Sequence, residues 1–166
     1  IVDVNSLRCH ISPAIVTVAY SFAYNIKENF EAYPPFWYYI GSAANAIVAE
    51  NPDDLAIRAK YGSLAIEYFN KFREIKNLDL LREDKVRSSC CLEYVSLLLP
   101  HNNDTNRKII LELLDDALAH SGHAKDVMQT CATYYLSIGE TSKAMKLLRE
   151  LVVEKYNSKT NAILLS

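Results

Sequence analysis

Glycine is scarce in this chain, at four residues in 166, and proline is limited to five. An all-β chain of this size needs many more turn residues, so a sandwich or barrel is excluded. The same scarcity leaves little backbone for a glycine-lined anion cradle. No Gly-rich phosphate loop, GxSxG elbow or HExxH sequence occurs, which disfavours an enzyme of those classes. A basic excess is missing too: 18 Lys and Arg face 20 Asp and Glu, for a formal net charge of -2. Residues 1–50 hold only Arg8 and Lys27 against Asp3, Glu28, Glu31 and Glu50. Phosphate neutralisation calls for the opposite balance, so no nucleic acid is expected as partner. The cysteines, Cys9, Cys90, Cys91 and Cys131, form no spread-out disulfide framework, and Cys90 and Cys91 are adjacent. That usage fits a reducing compartment. Long apolar runs are absent as well. The stretch from Pro13 to Tyr24 is too short to span a bilayer, and no basic segment with a cleavage site marks a secretory signal. The expectation is an intracellular, cytoplasmic protein without a membrane span. Because the chain begins at Ile1, it reads as a piece of a longer protein.

What is present is helical punctuation and helical spacing. All five prolines, Pro13, Pro34, Pro35, Pro52 and Pro100, fall where the hydrophobic pattern starts or stops, as residues tolerated only in a first turn should. Ser12-Pro13 reads as an N-cap and first-turn proline, and Asn51-Pro52-Asp53-Asp54 repeats the device with carboxylates at the positive end of the helix dipole. Four apolar stripes recur once per turn. They are Ile57, Tyr61, Leu64, Ala65 and Tyr68; Cys91, Leu92, Val95, Leu98 and Leu99; Ile110, Leu113, Leu114, Ala117 and Leu118; and Ala144, Leu147, Leu148, Leu151 and Val152. The spacing predicts helices over 12–31, 35–50, 53–73, 84–99, 104–120, 124–138 and 141–156, with a last turn from Asn161. Joints such as Ser121-Gly122 and Gly139-Glu140 are short, which turns neighbouring helices antiparallel. The expected fold class is all-α, about seven helices in a single domain over 1–166.

Between Lys125 and Tyr156 the side chains fall in a recognisable order: small Ala132, aromatic Tyr135, Gly139 at the turn, small Ala144 and bulky Leu148. This segment resembles one tetratricopeptide repeat. The family's proline at the end of the second helix is replaced by Tyr156, and no second copy stands out. The resemblance implies antiparallel helical hairpins stacked as a short TPR-like α-solenoid, with those five residues packing the repeat. A well-known subclass clamps chaperone tails through Lys, Arg and Asn. Asp126, Gln129, Thr130 and Thr133 stand on the corresponding helix here and do not look like that clamp.

The most unusual feature is a concentration of aromatics: Tyr20, Phe22, Tyr24, Phe30 and Tyr33, followed by the run Phe36-Trp37-Tyr38-Tyr39. Four consecutive aromatics cannot share one helix face, so some must cover a second surface. Tyr24, Phe36, Trp37, Tyr38 and Tyr39 are the candidate partner-binding residues, with core packing as the competing role. His120 and His123 lack further ligands nearby and read as helix-end histidines near terminal carbonyls. Cys90-Cys91 reads as buried packing, and Glu112, Asp115 and Asp116 as a solvated face. No catalytic residue, metal ligand set or cofactor is assigned. The expected function is a protein–protein interaction scaffold or adaptor, holding a partner segment in a helical groove or serving within a larger assembly. Self-association through the aromatic N-terminal region is kept open. The alternative is a helical-bundle enzyme or small-ligand binder whose pocket is lined by the N-terminal tyrosines.

Overall fold

The computed structural model describes residues 13–30, 34–75 and 81–164. They form helices α1 (Pro13–Phe30), α2 (Pro34–Glu50), α3 (Leu55–Glu74), α4 (Leu81–Leu98), α5 (Asp104–Ala119), α6 (Lys125–Ser137) and α7 (Thr141–Leu164), with a 3-10 turn at Leu99–His101. No strand occurs among the described residues, so the chain is all-α. The chain divides into two compact units, 1–86 and 87–166.

Prolines and polar caps set the helix ends much as the sequence implies. Pro13 and Pro34 open α1 and α2, and Ser12 lies outside the described residues. At α3 the cap differs from expectation. Asp54, not Asn51, is the N-cap, its carboxylate accepting from the Ala56 and Ile57 amides at 3.0 and 2.9 Å. Pro52 therefore sits in the preceding turn, where its carbonyl accepts from Arg58 Nη1 at 3.1 Å. Asn51 instead closes α2, donating from Nδ2 to the Ile47 carbonyl at 2.8 Å. Asn103 caps α5 through the Asn106 amide at 2.9 Å. At the far end α7 runs unbroken to Leu164, without the break expected between 156 and 161.

In the first unit α1 and α3 both lie against α2. The core is aromatic: Phe36, Trp37, Ile40, Ala44 and Ile47 of α2 are buried with Ala65, Tyr68, Phe69 and Phe72 of α3. The apolar stripe of α3 is thus shifted from the predicted one. Ile57, Tyr61 and Leu64 are only half-buried, whereas Phe69 and Phe72 are fully enclosed. Close approach of the two helices depends on Gly41. A Cβ there would lie 2.7 and 2.8 Å from two ring carbons of Phe69 and 3.3 Å from the Tyr68 Cβ.

In the second unit α5 meets α6, and α6 meets α7. Ile110, Leu113, Leu114 and Ala117 of α5 are buried, as are Met128, Cys131, Ala132 and Tyr135 of α6 and Ala144 and Leu147 of α7. Val152, expected on the buried stripe, is exposed, and Leu148 and Leu151 are half-buried. The Ser88 hydroxyl of α4 donates to the Ala117 carbonyl, satisfying a buried polar group across helices. Both short joints use left-handed backbone, at Gly122 and His123 (φ 56 and 62°) and at Gly139 (φ 80°). Only glycine adopts that region without steric cost, and this is what Gly139 supplies at the end of α6.

One staple was not foreseen. Arg107, near the start of α5, donates to the Ile138 carbonyl at 2.5 Å and to the Glu140 carboxylate at 2.6 Å. It thereby satisfies a carbonyl that the end of α6 leaves open. The Arg107 side chain is a little over a third exposed, so solvent screening reduces its worth. Arg107→Ala should lower the urea-unfolding free energy by about 1–2 kcal/mol. Arg107→Lys should recover little of it, since an ammonium lacks the planar fork that reaches both acceptors.

Candidate functional site

α1 and α3 bound an open cleft of about 700 Å³ within the first unit. Its α1 wall follows from sequence spacing: Tyr20 and Tyr24 are one turn apart, and Ser21 and Asn25 repeat the interval beside them. Its α3 wall consists of Lys60, Tyr61, Ser63 and Leu64. Tyr20 is 5% exposed and joins the walls. It meets Tyr61 edge-on at 5.2 Å and 84°, and stacks with Tyr24 at 6.1 Å and 28°. Burial, with the Tyr68 hydroxyl as a lesser cause, pushes the Tyr20 phenol well above its ordinary pKa, so the ring is neutral.

Polar groups in the cleft differ in commitment. The Ser63 hydroxyl is used within α3, donating to the Ala59 carbonyl at 2.8 Å. Ser21 and Asn25 are exposed, and among the described residues no partner occupies their side chains. Lys60 places its Nζ 5.3 Å from the Tyr61 ring centre, a cation–π distance. It is the sole charged residue among the described residues lining the cleft.

The five candidate partner-binding residues are placed very differently. Tyr24 is 42% exposed and lines the cleft. Tyr39 is 57% exposed on α2 and meets Tyr38 at 5.3 Å. Tyr38 is half-buried between Phe69 and Phe72, at 6.4 and 6.0 Å. Phe36 and Trp37 belong to the core, not to a surface. Trp37 is 7% exposed, stacks on Tyr68 at 5.8 Å, meets Phe36 edge-on and carries Lys71 Nζ 4.6 Å above its ring. The cleft residues that sequence reasoning missed are Ser21, Asn25, Lys60 and Ser63. Tyr20 and Tyr24 carried a signal in their helical spacing. Their pairing with Tyr61 depends on a tertiary approach that spacing does not encode.

The residues of the second unit act as ties between helices. Asp115 accepts from the Tyr135 hydroxyl at 2.6 Å and from Lys143 Nζ at 3.1 Å. Asp116 accepts from the buried Cys91 thiol at 3.3 Å and faces His120 Nδ1 at 3.3 Å. His120 Nδ1 also lies 2.9 Å from the Asp116 carbonyl, at the helix end as the sequence implies. Of the repeat-packing candidates, Ala132, Tyr135 and Ala144 are buried, Leu148 is half-buried, and Gly139 takes its left-handed turn. No group of three His, Cys, Asp or Glu side chains arranged to hold a metal occurs among the described residues.

Burial, aided by the Asp115 charge, pushes the Cys131 thiol up to about 12. Burial and the hydrogen bond to Asp115 likewise raise Tyr135 above the ordinary phenol range. The unfolded thiol and phenols ionise at about 8.5 and 10, so above those values the unfolded chain holds fewer protons than the folded one. The stabilisation is complete below about pH 8.5 and declines as pH rises toward 12. Urea midpoints should hold up to about pH 8.5 and fall steadily above it. An unchanged midpoint would contradict the burial of these groups.

Comparison with protein-family models, with curated proteins and with solved structures finds no match. Among the described residues no helix is long and apolar enough to cross a membrane.

Proposed function

We propose that this protein is an interaction module that holds a polypeptide segment of a partner in the cleft between α1 and α3, on a TPR-like framework of stacked helical hairpins. The observation that carries this reading is the open, tyrosine-walled cleft itself. Its volume lies within the ~300–1,000 Å³ of small-ligand sites, but it is open to solvent, which suits a chain segment entering and leaving along a groove. Tyrosines supply large contact area with a polar tip and little entropy loss, as partner surfaces require. Exposed apolar surface lies on α1 beyond the cleft wall. At ~100° per residue, Val18 and Phe22 follow Asn25, and they are 68% and 66% exposed. The framework is supported by packing between sequence-adjacent helices and by the short, left-handed joint at Gly139.

The test is capture by the immobilised chain from a cell extract, read by mass spectrometry, with Tyr24→Ala and Phe22→Ser compared with the parent. A bound polypeptide lost on both variants, at unchanged helical circular dichroism, is the expected result. Equal capture by all three proteins would remove the cleft from the interaction.

A further inference from the structure

Resting on the cleft as the partner-binding face, we propose that the segment it accepts presents an internal acidic side chain, Asp or Glu, which pairs with Lys60. Among the described residues no carboxylate lines the cleft, and Lys60 is the one cation there. Two other helix-face lysines are answered, Lys71 by Glu67 at 3.0 Å and Lys143 by Asp115 at 3.1 Å, whereas Lys60 shares its lack of a carboxylate partner among the described residues with Lys85, Lys108 and Lys146 and differs from them in lining the cleft. The Lys60 ammonium has only the Tyr61 ring, at 5.3 Å, and makes no ion pair.

The opposite wall supplies the rest of an acceptor-seeking set. Ser21 and Asn25 present an uncommitted hydroxyl and amide, while the Ser63 hydroxyl is already spent on its own helix. A carboxylate uses an ammonium, an amide N–H and a hydroxyl at once, because it accepts through two oxygens and donates nothing. A basic segment would find no acid among the described lining residues and would meet Lys60 as a like charge. Beyond the acid, Leu64 in the cleft and Val18 and Phe22 around α1 offer apolar contact, so the acid should have an aromatic or aliphatic neighbour.

The probe is a random peptide library displayed as an N-terminal fusion on a phage coat protein, so that no free terminal carboxylate is presented. It is panned on the full chain and eluted at raised salt. The expected result is enrichment of peptides pairing Asp or Glu with an aromatic or aliphatic residue. As synthetic peptides they should lose about tenfold in affinity on Lys60→Gln and weaken with ionic strength. Enriched peptides that are neutral or basic, lost on Tyr24→Ala but indifferent to Lys60→Gln, would overturn the acidic preference and leave the cleft as the binding face. Enrichment of nothing, or of peptides indifferent to both substitutions, would overturn the cleft reading and this inference together.

Discussion

Trp37→Ala should destabilise the first unit by about 3–5 kcal/mol, the range for removing a large aromatic from a core. The indole is 7% exposed and packs against Tyr68 and Phe36, with the Lys71 ammonium 4.6 Å from its ring centre and 5.7 Å from that of Tyr68. Little of that surrounding can collapse into the vacancy, since Tyr68 and its neighbour Phe69 are themselves enclosed. Urea unfolding followed by circular dichroism would read the loss. Tyr39→Ala on the same helix provides the contrast: at 57% exposure its removal should change stability by less than about 1 kcal/mol. If Trp37→Ala instead left the melt unaltered, the indole would not be part of the core.

Gly41→Val should cost about 3 kcal/mol, and even Gly41→Ala should be destabilising by about 1–2 kcal/mol. Two effects oppose one another here. Replacing a mid-helix glycine by alanine ordinarily stabilises by about 0.5–1 kcal/mol. At Gly41 the added carbon would come within 2.7 Å of the Phe69 ring, which is fully buried and has nowhere to move. Overpacking therefore wins. Gly62 of α3 is the control, because its nearest non-local atom would be Val48 Cγ2 at 4.0 Å. Gly62→Ala should raise stability by about 0.5–1 kcal/mol, so two identical substitutions carry opposite signs. Melts in which both move the same way would show that the α2–α3 approach at Gly41 is looser than described.

Both predictions concern packing that spacing only partly revealed. The helices themselves were legible, because Leu113, Leu114 and Ala117 recur once per turn and Pro13 and Pro34 mark first turns. The end of α3 was less so. Phe69 adjoins Tyr68, the last residue of the recognised stripe, and Phe72 lies one turn beyond it, so two phases of the period compete there. The α3 cap was displaced because Asn51, Asp53 and Asp54 are all competent caps, and only the backbone at Asp54 is extended with both amides in reach. The aromatic run from Phe36 to Tyr39 announced that two surfaces were involved, yet not which ring faced which. Phe36 and Trp37 turned inward, Tyr39 outward, and the decision lay with Tyr68, Phe69 and Phe72, some thirty residues away. Arg107 was invisible because its acceptors, Ile138 and Glu140, are brought to it by tertiary approach, and Lys60 because the α1 wall opposite it is placed the same way; an isolated cation in sequence reads as solvated.

Trp37 is the sole tryptophan of the chain, and it sits deep in the first unit. Its emission is therefore a native optical label for that half alone, whereas the ellipticity of the helices averages over both. Recording the two signals along one denaturant titration would show whether the halves melt in a single step or in succession, without attaching any dye.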